Sequence, residues 1–129
     1  MPIEENKAII RRFIDALDRG NVAELRNHPG LHQTVQRHPI IRAAFPDLRI
    51  TVEEQIAEGQ MVATRATMRG TQLGAFMGAA PTGQQLAWSV LLMDQVVDDK
   101  IALHYANADW ISVLMRLGVV PPYPVPAKP

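Results

Sequence analysis

Near the end of the chain a phenol, an amide and a carboxylate recur at every second position, as Tyr105, Asn107 and Asp109. Strand side chains alternate between faces, so these three share one face, in step with Ile101 and Leu103. The set suits proton transfer. A carboxylate such as Asp109 can take a proton from a carbon flanked by carbonyls and later return it to an alkoxide. Asn107 can orient a carbonyl or donate to an enolate oxygen, and Tyr105 lines the same face. Desolvation in an apolar cavity would raise the aspartate's pKa toward the working range. Asp109 also directly precedes the amphipathic segment that starts at Trp110, where aspartate is a favoured helix cap. Both accounts of Asp109 stand open. His104 lies an odd five residues before it, hence on the opposite face, and reads as a surface or subunit-contact histidine.

Other residues could line the same site. Trp88 lies within a long apolar strand, as a core residue or a ligand platform. Arg65, between the small residues Ala63 and Thr67, would bind a carbonyl or carboxylate if it faced a cavity; a cross-strand pair with Glu53 or Glu54 is the plainer account. His28, His32 and His38 cluster in sequence, but Pro29-Gly30 breaks any helix that would align the first two, so no metal site is expected. Neither a glycine-rich phosphate loop nor a nucleophile elbow is present. Met61, Met68, Met77, Met93 and Met115 mostly fall at positions expected to be buried.

The chain has 129 residues, with 13 basic and 13 acidic side chains and no cysteine. That length suits one domain with its own core. Balanced charge argues against a nucleic-acid or anionic-membrane partner. Without cysteine there is no disulfide, thiolate metal site or cysteine nucleophile. The acidic N-terminus lacks the order of a signal peptide and no apolar run approaches membrane-spanning length, so a soluble cytoplasmic protein is expected.

The elements that must position these residues follow from periodicity. Ile9, Ile10, Phe13, Ile14 and Leu17 mark one face of a helix over residues 4–19, closed by Gly20. Asn21 and Glu24 form a capping-box pattern for a short turn. Residues 27–39 read poorly, with a helical turn at 31–38 before Pro39 opens a second short helix over 40–45. Strands follow over 48–53 and 61–68, joined by Glu58-Gly59-Gln60. Residues 70–83 form a glycine-rich loop with one helical turn at 75–77, read as a flexible cavity lid. A long strand over 85–97 turns at Asp98-Asp99 into a partner over 100–108. A last helix carries Ile111, Leu114, Met115 and Leu117 and ends at Gly118. The domain is expected to span residues 1–120, followed by a Pro-rich extended tail over 121–129. Helices followed by an antiparallel sheet give an α+β domain, and strands this long must curve around an apolar pocket.

Order and spacing of several segments then resemble the SnoaL-like polyketide cyclase (ester cyclase) family. They are Phe45-Pro46-Asp47-Leu48, Ala57-Glu58-Gly59, Arg65, Arg69-Gly70-Thr71, Phe76-Met77-Gly78, Pro81-Thr82-Gly83, Lys100-Ile101, His104, Asp109 and Leu117-Gly118, over roughly residues 43–118. The resemblance implies a nuclear-transport-factor-2-like cone closed by N-terminal helices around an apolar pocket. It also implies cofactor-free ring closure of an apolar polyketide-like molecule, with Asp109 as acid/base. A polar, often basic residue of the preceding strand corresponds to about Gln95, which cannot relay a proton as histidine could. Leu92 is a further departure, and the segment before Phe45 is shorter than in relatives. Asp109 would therefore catalyse, with Asn107, Tyr105, Gln95, Trp88 and Arg65 positioning substrate, no cofactor, no metal, and a homodimer through the outer face of the sheet. Rival readings are an epoxide hydrolase or ketosteroid-type isomerase on the same cone, if Asp109, Asn107 and Arg65 converge, or a non-catalytic small-molecule binder.

Overall fold

The apolar stripe of the first segment makes an amphipathic helix, α1 (Pro2–Asp18), whose Ile9, Ile10, Phe13, Ile14 and Leu17 are all buried. The computed structural model describes residues 2–121, so the expected tail lies outside the described residues from 122 onward. Gly20 adopts φ +72°, and Gly20 N–H and Asn21 N–H donate to Leu17 and Ala16 carbonyls, ending the helix. Two 3-10 turns, Val22–Leu25 and Pro29–Leu31, lead into α2 (His32–Ala44).

Pro39 does not open a new helix; it lies inside α2. Proline there lacks the N–H that would bond Val35, a local cost that the packing of the helix tolerates. Phe45-Pro46-Asp47 does end the helix, and Asp47 then accepts from the Thr71 amide (2.7 Å) and hydroxyl (2.8 Å).

The sheet is an antiparallel meander in the order β1-β2-β3-β4: β1 (Arg49–Glu58), β2 (Met61–Thr71), β3 (Gln85–Val97) and β4 (Lys100–Ala108). Asp98 and Asp99 both have positive φ, the two-residue turn whose twist matches a hairpin. Two bulges bend the sheet, one at Glu53 in β1 and one at Ala102 in β4. On β2 and β3 the alternation is clean, with Val62, Thr64, Ala66 and Met68 beside Leu86, Trp88, Val90, Leu92, Asp94 and Val96 on the buried face. The last helix, α3 (Trp110–Arg116), closes one end.

Residues 72–84 form no lid. Gln72 is fully buried, its amide donates to Gly74 and Ala80 carbonyls, and its oxygen accepts from the Thr82 amide and hydroxyl. In place of a helical turn, Phe76 and Ala79 form an isolated bridge. Met77 and Met93 are exposed, contrary to expectation, whereas Met68 is buried. The result is the expected α+β cone, with helices laid over the concave face of a curved sheet. Among the described residues no helix is long and apolar enough to cross a membrane.

Candidate active site

Between the concave face and the helices lies a cavity of about 660 Å³. Ala66, Met68, Val90 and Leu92 supply its sheet wall, and Phe13, Ile14, Leu17 and Ile41 its helical wall. Trp110 also lines it, its ring tilted against Phe76 (ring centroids 5.1 Å) and Trp88 (5.4 Å). The rim carries the exposed His32, Gln33 and Arg37 from the start of α2, facing Leu103 and Ala106 of β4. Gly30 seats this rim on β4, because a Cβ there would stand 2.9 Å from the backbone of Ala102 and Leu103.

Inside the cone two polar side chains face one another. Asp94 and His104 are register partners on β3 and β4, and His104 Nδ1 lies 2.5 Å from Asp94 Oδ1. A carboxylate only accepts, so the His104 Nδ1–H donates this bond. His104 lines the cavity, and its ring stands edge-on to Phe13 at 5.2 Å and 85°. Asp94 is 0 % exposed, behind the histidine. Burial pushes its carboxyl above the usual carboxylate range, opposed by the hydrogen bond and attraction to His104. Its second oxygen, Oδ2, is buried without a partner among the described residues. An oriented imidazole with one ring nitrogen tied to a buried carboxylate is the arrangement of a general base.

A third histidine lies nearby. His38 is 3 % exposed, and its Nε2–H donates to the Leu17 carbonyl at 3.1 Å. Arg42 Nη2 donates to the carbonyls of Leu17 (2.8 Å) and Asp18 (3.1 Å), so both side chains satisfy the end of α1. Desolvation, helped by Arg42, lowers the His38 pKa to about 4, against the opposing hydrogen bond to Leu17. His38 is a neutral structural group. His28 accepts from the Ile101 amide at 2.9 Å, and among the described residues no group of three metal-ligating side chains exists.

Of the expected site residues only Tyr105 lines the cavity, at its rim. Asp109 does not line the cavity; its Oδ1 accepts from the Ser112 amide (3.2 Å) and its Oδ2 from the Ser112 hydroxyl (2.6 Å), capping α3. Asn107 is exposed on the outer face, and Tyr105, although it borders the rim, is 60 % exposed there. Gln95 also lies outward and donates to Gln60 Oε1 at 2.9 Å. Arg65 is exposed and paired with Glu54 at 2.8 Å. Trp88 is buried behind the cavity wall, 4.9 Å from Phe45, and its indole N–H has no acceptor among the described residues. Asp109, Asn107 and Arg65 therefore do not converge.

The cause is the bulge. Ile101 is fully buried and pairs with Val96, but Leu103 pairs with Gln95, so Ala102 is the extra residue. Beyond it the inward parity passes to His104, Ala106 and Ala108. His104 thus belongs to the cavity rather than to the surface. Asp94 carries a signal in the sequence: it is the single charge in phase with Trp88, Val90, Leu92 and Val96.

The comparisons with known proteins agree with this architecture. AclR from Streptomyces galilaeus, described as a candidate hydroxylase, shares 29 % identity at TM-score 0.85, over 95 % of this chain and 86 % of its own. IdmH from Streptomyces antibioticus, described as a candidate polyketide cyclase, shares 28 % identity at TM-score 0.77, over 88 % of this chain and 99 % of its own. A SnoaL-like protein from Jannaschia sp. CCS1, at 22 % identity, TM-score 0.80 and 93 % and 95 % coverage, adds the fold alone. Among curated proteins none matches. The family profile for SnoaL-like polyketide cyclases matches residues 6–117, nearly the whole of the cone, and the chain belongs to that family.

Proposed function

We propose that the protein is a cofactor-independent cyclase or related isomerising enzyme that enolises an apolar ketone-bearing substrate, with His104 as the base and Asp94 as its counter-ion. The observation that carries this reading is the hydrogen bond between Asp94 Oδ1 and His104 Nδ1 beside the apolar sheet wall of the cavity. His104 Nε2 takes a proton from the carbon next to the carbonyl, leaving an enolate and an imidazolium. The enolate carbon attacks a second carbonyl of the same molecule; a carbon–carbon bond forms and the carbonyl π pair moves to oxygen. The imidazolium returns its proton to that alkoxide, and the base is regenerated. Asp94 stays ionised throughout and stabilises the transient imidazolium.

Hydrolysis of an epoxide fits less well, since its carboxylate would have to meet water. Asp94 lies behind His104, while Asp109 and Arg65 are engaged outside the cavity. Deuterium exchange at the benzylic α-carbon of 2-tetralone in D2O, followed by NMR, tests enolisation without the natural substrate. His104→Ala should lower the protein-catalysed rate by about 10²-fold or more, the usual scale for a general base. Exchange at the wild-type rate in that variant would reject His104 as the base, and no acceleration over buffer by the wild-type protein would leave the non-catalytic binder as the reading.

A homodimer through the outer face of the sheet belongs to the same proposal. Leu91, Met93, Leu103 and Tyr105 are exposed side by side on β3 and β4, with Met93 and Tyr105 direct partners. The centre of this patch holds no charge, so a two-fold axis through it would bring no like charges together.

A further inference from the structure

We propose that the substrate carries a carboxylate, held by Arg37 at the cavity rim while its apolar body reaches inward to His104. The polar groups of the cavity are unevenly distributed. Its lining includes one arginine and three histidines, and among the described residues no aspartate or glutamate lines it. That asymmetry occurs in a chain whose acidic and basic residues balance. Arg37 lies on the α2 stripe of Thr34, His38 and Ile41, all of which line the cavity, yet it is exposed. It forms no ion pair among the described residues, and it is the arginine that lines the cavity. A guanidinium presents a planar fork that matches a carboxylate, and its position beside a low-dielectric wall strengthens the attraction. Asp94 is fully buried and hydrogen-bonded to His104, and it does not line the cavity.

The inference deepens the proposed reaction by naming its substrate class: a keto acid with an apolar, aromatic-sized body. It rests on that reading for the ketone, whereas the carboxylate subsite is measured by binding alone. Calorimetric titration with 4-(2-naphthyl)-4-oxobutanoate and with its methyl ester provides the test. The free acid should bind at least tenfold tighter than the ester to the wild-type protein, and added salt should weaken the acid only. Arg37→Gln should bring the two within about twofold and Arg37→Lys should keep part of the difference, because lysine offers a charge without the fork. His104→Ala should keep the full preference while losing exchange, which separates this inference from the assignment of the base. Equal affinity for acid and ester, a preference that survives in Arg37→Gln, or no binding of the acid at millimolar concentration would overturn it. Displacement of the acid by phosphopantetheine but not by benzoate would assign the subsite to a phosphate and reject the carboxylate.

Discussion

Asp94 and His104 face one another across β3 and β4, joined through Oδ1 and Nδ1, and the carboxylate keeps its other oxygen buried and unpartnered. An apolar cone gains little stability from such a pair. Desolvation of both groups offsets most of their attraction, and an unfilled acceptor adds to the cost. Its persistence at the head of a cavity is better understood through chemistry than through stability.

Replacing both partners should therefore separate the two. The double variant Asp94→Leu/His104→Leu is expected to match or exceed wild-type stability, by up to about 4 kcal/mol, while losing 2-tetralone exchange. Urea denaturation would measure this, and a clear destabilisation of the double variant would assign the pair a structural role. Asp94→Asn alone should slow exchange by about 10²-fold, because the imidazolium loses its counter-ion.

Asp109 should behave as a cap. Asp109→Ala is expected to cost about 1 kcal/mol and Asp109→Ser to recover most of it, with exchange unchanged in both. A folded Asp109→Ala protein with no exchange would return the catalytic role to this residue.

His38 sets an acid limit to stability. It is neutral in the fold, with a pKa of about 4 against an ordinary 6.5, so its contribution is fully present above pH 6.5 and is lost as pH falls toward 4. The loss should reach about 3 kcal/mol, and His38→Gln, which retains a donor for the Leu17 carbonyl, should flatten it. Asp94 acts with the opposite sign, its raised pKa favouring the fold at low pH, so the informative quantity is the difference between wild type and His38→Gln at pH 7 and pH 4.5. Parallel stability curves for the two proteins would exclude the effect.

The outer patch should hold a second copy. Met93→Glu is expected to weaken self-association by on the order of 10²-fold, since a charge would be buried without a partner. Sedimentation should then give a dimer for wild type and a monomer for the variant; a monomeric wild-type protein at micromolar concentration would end the proposal.

Much of the architecture was legible from local pattern. The 3.6-residue stripe of Ile9, Ile10, Phe13, Ile14 and Leu17, the two-residue Asp98-Asp99 turn and the long strand over 85–97 all appear in the structure. The continuation of α2 through Pro39 is not legible in the pattern, because helix continuity there depends on packing rather than on propensity. Residues 70–83 were misread because the hydrogen bonds of Gln72, invisible in a glycine-rich stretch, pin the loop.

The site itself divides along the same line. By itself the sequence determined the first helix, the strands and the family resemblance, because short-range periodicity encodes which face is buried. Only the tertiary structure decided which residues of β4 enter the cavity. One extra residue at Ala102 reverses the parity of everything after it, turning Asp109 and Asn107 away, leaving Tyr105 exposed at the rim and bringing His104 onto Asp94. A bulge is a property of the pairing between two strands, and neither strand's own pattern records it.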